Sequence, residues 1–196
     1  MSTPTAKPLT GTQTEKNLVI SYIAESTAYS RYTYYAQQAT KEGYFPIADV
    51  FTDTANNELH HAKVYFKYLS KGTVTVPVNT DMGIIGTTEE NLEIAANEEL
   101  NEGVVLYKNF AEVAEQEGFT EIAEHFRAIA EVEEHHRRRF LKYLEQVKNG
   151  TVWKRDHVIK WQCLVCGYIF EGTTPPEKCP GCDHPYQHYR AMDMDI

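Results

Sequence analysis

Glu42-Gly43-Tyr44-x-x-Ile47-Ala48-x-x-Phe51 recurs 75 positions later as Glu117-Gly118-Phe119-x-x-Ile122-Ala123-x-x-Phe126. In each copy a glycine is placed to end one helix, and the apolar spacing that follows opens another, so each reads as the turn of a helical hairpin. The two halves of the first 150 residues are therefore pseudo-equivalent. The same shift carries Tyr32 to Tyr107, Glu58 to Glu133 and His61 to His136.

Apolar residues at helical spacing extend outward from both turns. One seam runs Leu18, Tyr22, Glu25, Tyr29, Tyr32, Ala36 and Ala39; a second runs Ile47, Phe51, Thr54, Glu58, His61, Tyr65 and Tyr68. From Lys71 to Thr88, glycines and a proline interrupt β-branched residues, which predicts a long irregular connection. Thr88, with Glu90 and Asn91 behind it, is a plausible helix start. A third helix is predicted over about 89–117 and a fourth over about 120–148, stopped by Asn149-Gly150. Two helices, a long crossover and two more helices make an all-α four-helix bundle with one crossover.

Glu58 lies seven residues, nearly two turns, beyond Phe51, and His61 follows on the same face; Glu133 and His136 stand in the same relation to Phe126. The partner helices add Glu25, Glu99 and Glu102. Buried carboxylates left unpaired would cost several kcal/mol each, and no lysine or arginine lies on these seams. A pair of divalent cations is the natural counter-charge, and a Glu from each of two helices plus Glu-x-x-His from each of the others is the di-iron or di-manganese pattern. Glu131, Glu134 and His135 compete locally, but the seam Phe126, Ile129, Glu133, His136, Phe140, Leu144 selects Glu133 and His136. By the same reading His60 is a surface or flanking residue and Glu98 is solvated.

The repeat breaks at one place. Glu25 maps onto Leu100, with Glu99 beside it, while Tyr32 still maps onto Tyr107. One residue is extra between Glu99 and Tyr107, which predicts a single-turn π-bulge near 100–106 that turns Glu102 inward without losing Glu99. Tyr32 and Tyr107 are placed either to pack the core or to hydrogen-bond the ligand carboxylates and donate protons.

All four cysteines fall in the last thirty-four residues, as Cys163-Leu-Val-Cys166 and Cys179-Pro-Gly-Cys182. Two CxxC pairs across a short loop bring four thiolates into the tetrahedron that zinc or a single iron demands. So short a segment needs a metal for much of its folding energy. The predicted division is a bundle over 1–150 and a metal knuckle over 151–196.

A net charge of -9 speaks against nucleic acid, and no apolar run approaches the roughly 18 residues of a membrane span. The first ten residues lack the apolar core of an export signal, so the expected location is a reducing cytoplasm, where thiolates stay available for metal.

Together, Glu25, Glu58-Leu-His-His61, Glu99-Leu-Asn-Glu102, Glu133-Glu-His-His136, Cys163-Leu-Val-Cys166-Gly-Tyr and Cys179-Pro-Gly-Cys182 resemble the rubrerythrin family over nearly the whole chain. The resemblance implies a ferritin-like bundle with a C-terminal rubredoxin-like domain. It implies two irons bridged by oxo and carboxylate groups, with Glu58 and Glu133 bridging, Glu25 and Glu99 terminal, and His136 on one iron. Glu102 and His61 would alternate on the other iron as its redox state changes. It also implies iron in an Fe(Cys)4 centre, which moves one electron at a time where zinc would be inert. Trp161, Tyr168 and Phe170 are expected to shield the sulfurs. Asp183 stands where free rubredoxins usually have Gly.

The implied activity is a peroxidase that reduces hydrogen peroxide to water and protects against oxidative stress. No GxGxxG fingerprint is visible, so an external NAD(P)H-linked reductase or rubredoxin-type protein must feed the cysteine centre. A homodimer pairing each tail with the neighbour's bundle is expected. The alternatives are a ferroxidase or iron-storage protein, which would not need an electron-delivering tail, and a zinc-binding structural protein, which would not explain seven inward ligands.

Overall fold

The computed structural model describes residues 7–69, 72–79 and 83–193, apart from the side chain of Glu102. Helix α1 is Gln13–Lys41, α2 is Phe45–Tyr68, α3 is Thr88–Glu98, α4 is Tyr107–Gln116 and α5 is Thr120–Asn149. A π-helical stretch, Glu99–Leu106, joins α3 to α4, so the three form the predicted third helix. The bulge is thus present but runs eight residues, more than a single turn. Its position accounts for the register break: the extra residue lets Glu99 face the core one residue before the place where the repeat would put it.

The repeat is visible in the backbone. Thr12 caps α1 by accepting from the Glu15 N–H, and 75 residues on Thr87 caps α3 by accepting from the Glu90 N–H, completed there as a capping box. The cap is Thr87 where the sequence suggested Thr88. Gly43 and Gly118 adopt φ of 82° and 84°, the left-handed conformation that glycine takes without a Cβ penalty. Tyr44 and Phe119 then donate back to the Ala39 and Ala114 carbonyls, each at 2.8 Å, closing both helices with the same hairpin turn.

The glutamate before each glycine caps a helix of the opposite half. Glu117 accepts from the N–H of Gln13 at 3.2 Å and of Thr14 at 2.8 Å, and from the Thr14 hydroxyl at 2.6 Å. Glu42 accepts from the Thr88 N–H at 3.0 Å. Burial opposes ionisation of both carboxyls, but the donors of Thr14 on Glu117 and of Thr88 and Gln38 on Glu42 outweigh it and hold both below the ordinary carboxylate range. Stability contributed this way is present above the unfolded pKa of about 4.3 and is lost as pH falls through the lower folded value. Glu117→Ala should cost about 1–2 kcal/mol, seen as a lower urea midpoint with unchanged slope, and the deficit should shrink in acid.

Aromatic and small residues fill the bundle on either side of a polar middle. Tyr32, Tyr35, Phe51 and Phe140 pack one end, and Leu18, Tyr65, Tyr107 and Phe126 the other. Two residues of the expected α1 seam lie at its side, for Tyr22 is 36% exposed and Tyr29 half-buried; Ser21 and Tyr35 take the buried line. A buried arginine also stands beside the seam, contrary to expectation: Arg31 pairs with Glu98, which is therefore partnered and not simply solvated.

After α5, strands β1 (Ile159–Cys163), β2 (Ile169–Gly172) and β3 (Tyr189–Ala191) form an antiparallel sheet in the order β2-β1-β3. The sheet docks on the start of α2. Tyr44 stacks on Trp153 with ring centroids 5.5 Å apart, Phe45 stacks on His188, and Arg190 lies 3.5 Å from Asp49. No described helix is long and apolar enough to cross a membrane.

Candidate metal centres

In the middle of the bundle, two groups of ligand atoms lie within 4.8 Å of one another. One is Glu25, Glu58, His61 and Glu133; the other is Glu58, Glu99, Glu133 and His136. Glu58 and Glu133 belong to both. The His61 Nδ1 is 3.0 Å from Glu58 and 3.0 Å from Glu133, and 3.6 Å from Glu25. The His136 Nδ1 is 2.8 Å from Glu133, 3.1 Å from Glu58 and 3.8 Å from Glu99. The four carboxylates and His136 are at most 5% exposed.

The tyrosines cross between the halves. Tyr32 donates to Glu99 at 2.7 Å and Tyr107 to Glu25 at 2.6 Å, so each half's phenol holds the other half's carboxylate. Burial first, then the neighbouring carboxylates, pushes both phenols well above their usual pKa and keeps them protonated donors.

Whether cations suit this cluster can be judged from its charge and its unpaired atoms. Burial, then repulsion from Glu133, pushes Glu58 well above the carboxylate range, and burial with Glu133 and Glu58 does the same to Glu99. Burial would raise Glu133 too, but hydrogen bonds from His136 and His61 hold it down at about 2. His61 is pushed up, against its burial, by Glu133, Glu25 and Glu58. The protein atoms thus stay together only by sharing protons. Glu58 Oε1 and Glu133 Oε1, on the two residues shared by the groups, face only a histidine nitrogen each, His136 Nδ1 at 3.1 Å and His61 Nδ1 at 3.0 Å, without a well-aligned hydrogen bond. Two cations at these groups would replace the protons and satisfy these oxygens. The residues fit a metal pair.

The predicted residues sort clearly. Glu25, Glu58, His61, Glu99, Glu133 and His136 are brought together, with both tyrosines against them. Glu131 and His60 are exposed, and Glu134 is turned to Arg137 at 3.3 Å. The expectation that Glu102 turns inward lies outside the described side chains.

One residue escaped the sequence reading. A Cβ on Gly103, in the π stretch, would fall on Glu133 Cβ and Cγ, far inside van der Waals contact. A mid-helix glycine costs about 1 kcal/mol relative to alanine, and that cost was the available signal of a close approach. Gly103→Ala should displace Glu133 and empty both metal positions, with an overpacking loss of about 1–3 kcal/mol. Metal analysis together with thermal unfolding of the metal-free protein checks both parts.

The four cysteine sulfurs also lie within 4.8 Å of one another. Cys163–Cys182 and Cys166–Cys179 are separated by 3.7 and 3.6 Å, far beyond a disulfide bond of about 2.05 Å. A tetrahedron with metal–sulfur bonds of about 2.3 Å has edges of about 3.8 Å, so the spacing fits one ion. Each CxxC turn needs a left-handed residue after its second cysteine. Gly167 supplies it at φ 77° and Asp183 at φ 59°, a conformation Asp tolerates better than most residues. Trp161 and Tyr189 are fully buried beneath the sulfurs. Tyr168 is 40% exposed, with its Cβ beside Gly181 between Cys166 and Cys179, and Phe170 is half-buried. Cys163 and Cys179 are buried while Cys166 faces outward.

The rubrerythrin family model matches residues 16–89 and again 90–162, repeating the internal duplication, and the model of the rubrerythrin rubredoxin-like domain matches 161–190. The chain is 46% identical over 186 residues to the rubrerythrin of Porphyromonas gingivalis, covering 95% of this chain and 93% of that protein. It is 41% identical over 189 residues to the rubrerythrin of Nitratidesulfovibrio vulgaris, covering 96% and 99%. The structure of nigerythrin in its fully reduced, all-ferrous state aligns over 97% of this chain and 91% of that one, at 28% identity and a TM-score of 0.58. Symerythrin from Cyanophora paradoxa shares the fold at 22% identity and a TM-score of 0.62. Sequence, fold and donor set agree on the cofactors, a carboxylate-bridged di-iron pair in the bundle and one iron in the Fe(Cys)4 knuckle. With the bundle and the knuckle both matched, the chain belongs to the rubrerythrin family of di-iron oxidoreductases of oxidative-stress defence.

Proposed function

We propose that this protein is a peroxidase that reduces hydrogen peroxide to water, with electrons entering through the Fe(Cys)4 knuckle. The observation that carries the reading is the union in one chain of a buried two-cation site with a four-thiolate centre whose Cys166 faces outward. An iron-storage site has no use for such an electron inlet. When bound, the iron pair supplies the two electrons that cleave the O–O bond. Glu58 and Glu133, which belong to both groups, would hold both irons, with Glu25 and His61 at one position and Glu99 and His136 at the other. Tyr32 and Tyr107 fix Glu99 and Glu25 and keep their phenol protons beside the site. A cavity of about 20 Å³ lies among Glu25, Tyr32, Glu58, Gly103, Tyr107 and Glu133, room for a molecule hardly larger than water. That size favours hydrogen peroxide over bulky hydroperoxides.

The functional unit in this reading is a homodimer with two-part subunits, 1–150 and 151–196. The knuckle stacks on Phe45, and thirteen residues of α2 at about 1.5 Å each separate Phe45 from Glu58, about 20 Å. A second chain laying its knuckle alongside the bundle's middle shortens that path. The electron source is an external NAD(P)H-linked reductase or rubredoxin-type protein, and the setting is the reducing cytoplasm.

Visible spectroscopy tests the function. Reductant should bleach the red Fe(Cys)4 chromophore, and hydrogen peroxide should restore it while being consumed at one peroxide per two electrons. Chromophore recovery without peroxide consumption, with Fe(II) oxidised and retained in excess, would favour the ferroxidase or storage reading. If Glu102 and His61 alternate on one iron, Glu102→Ala should hold two irons when reduced, because the neutral imidazole suits Fe(II), yet lose the diferric form, whose harder ion prefers an anionic oxygen. Metal content and oxidation-state spectra check this, and wild-type diferric stability would reduce Glu102 to an ordinary glutamate.

A further inference from the structure

Four polar residues stand every fourth position along α1: Gln13, Asn17, Ser21 and Glu25. Residues four apart on a helix lie one above the other, about 5–6 Å between Cβ atoms, so these make a single ladder. Gln13 is exposed, and its amide donates to Asn17 Oδ1 at 2.8 Å. Asn17 is 2% exposed and Ser21 0%. The ladder therefore begins in solvent and ends on a carboxylate of the metal site.

Tyr65 joins the ladder from α2. Glu25 and His61 face each other across the α1–α2 hairpin, and Tyr22 meets Phe66 in the same antiparallel register. Ser21 and Tyr65 are each one turn further along, four residues from Glu25 and from His61, and so share a level. Ser21 Oγ is buried with no hydrogen-bond partner among the described residues, and Tyr65 Oη is buried with no well-aligned one, its nearest polar neighbour being the Tyr107 hydroxyl. The Tyr65 ring packs edge-on against Tyr107, centroids 5.7 Å apart, and Tyr107 donates to Glu25.

The repeat provides an internal comparison. Glu99 answers Glu25 one residue short of the 75-residue shift, so along α3 the ladder reads Ala95 for Ser21 and Asn91 for Asn17, while Tyr65 goes to Phe140, all of them fully buried. The asparagine level is polar in both halves, and Asn91 is tied to the Gly86 backbone. The Ser21–Tyr65 level is apolar in the other half. An orphaned buried hydroxyl lowers stability, and Ala95 and Phe140 show that apolar residues fit the same places. Two hydroxyls at this one level, on one approach to a duplicated site, point to something that site must exchange with solvent on that side.

We propose that Asn17, Ser21 and Tyr65 line a hydrated proton path from the exposed start of α1 to Glu25 and Tyr107. The proposal rests on the peroxidase reading for the use made of the protons. Reduction of one hydrogen peroxide to two waters breaks the O–O bond and takes two electrons, delivered by the external reductant, together with two protons. Those protons must cross the protein, and the hydroxyls of Ser21 and Tyr65, joined by water, pass them inward while remaining neutral. These are positioning residues, since they act through water, Tyr107 and Glu25.

The test gives the Ser21–Tyr65 level the second half's residues, Ser21→Ala and Tyr65→Phe, and cuts the ladder above it with Asn17→Leu, all three together, with the isosteric Tyr65→Phe alone as a second variant. A high-resolution crystal structure of the wild-type holoprotein should show ordered water on Ser21 Oγ and Tyr65 Oη. Both variants should hold two irons. In the triple variant, oxidation of the pre-reduced protein by peroxide should slow by about tenfold to a hundredfold and acquire a larger solvent isotope effect, with Tyr65→Phe intermediate. Independently of peroxide, proton release as Co(II) loads the metal-free bundle, followed with a pH dye, should lag metal binding in the variants only. A dry Ser21–Tyr65 level, or variants with unchanged proton release and isotope effect, would overturn the path. Wild-type protein that holds both irons but consumes no peroxide would overturn the peroxidase reading alone, and the water and proton-release results would still decide the path.

Discussion

Glu133→Ala and His136→Ala should each lose metal affinity on the order of 100-fold or more, since even flanking partners of metal ligands are worth roughly 10–100-fold, whereas Glu131→Ala and Glu134→Ala should bind both metals as the wild type does. The four residues sit within six positions of one helix, yet their surroundings differ completely. Glu133 and His136 are 2% and 1% exposed, and Glu133 belongs to both ligand groups, so its loss touches both cations at once. Glu131 is exposed and Glu134 half-exposed beside Arg137, where a surface pair is worth about 0–1 kcal/mol. Metal analysis and titration of the four variants, with peroxide consumption alongside, is the measurement. Equal losses at both pairs would mean that the metals do not sit where the two groups converge.

Cys163→Ser and Cys179→Ser should reduce steady-state turnover with a protein donor to background while leaving two metals in the bundle. Both sulfurs are buried at the base of the four-thiolate group, and a knuckle this small draws much of its folding energy from its ion. Without it the sheet loses its anchor, and the stacks of Tyr44 on Trp153 and Phe45 on His188 should loosen. The bundle ligands are borne by α1 to α5 and do not depend on the knuckle. Chemically reduced variant should therefore consume one peroxide per site and then stop. Wild-type turnover of either variant with the same donor would show that electrons do not enter at the cysteines.

Gly103 and Arg31 mark the limit of periodicity arguments. Both depend on what an opposing helix brings to one point: Glu133 passes through the space a Cβ would take, and Arg31 is balanced by Glu98 on the helix across from it. Similarly, Trp161 was expected beside the cysteines, but Tyr189, some twenty residues away from the nearest quoted aromatic, packs with it in the same buried cluster, which only the sheet order brings about. The ladder on α1 was hidden for a related reason: Asn17 and Ser21 look like ordinary surface residues until the register of α2 puts Tyr65 beside them.

The sequence by itself determined the architecture and the chemistry. Glycine-ended hairpins repeated 75 residues apart, Glu-x-x-His on both core seams and paired CxxC turns are local patterns, governed by helix period and turn stereochemistry, and they carry over to the folded chain with little change. Only the tertiary structure decided which tyrosine serves which glutamate, and that the phenols cross between halves. Those choices depend on interhelical register and on distances of a few ångströms between residues 67 and 82 positions apart, which no one-dimensional pattern encodes.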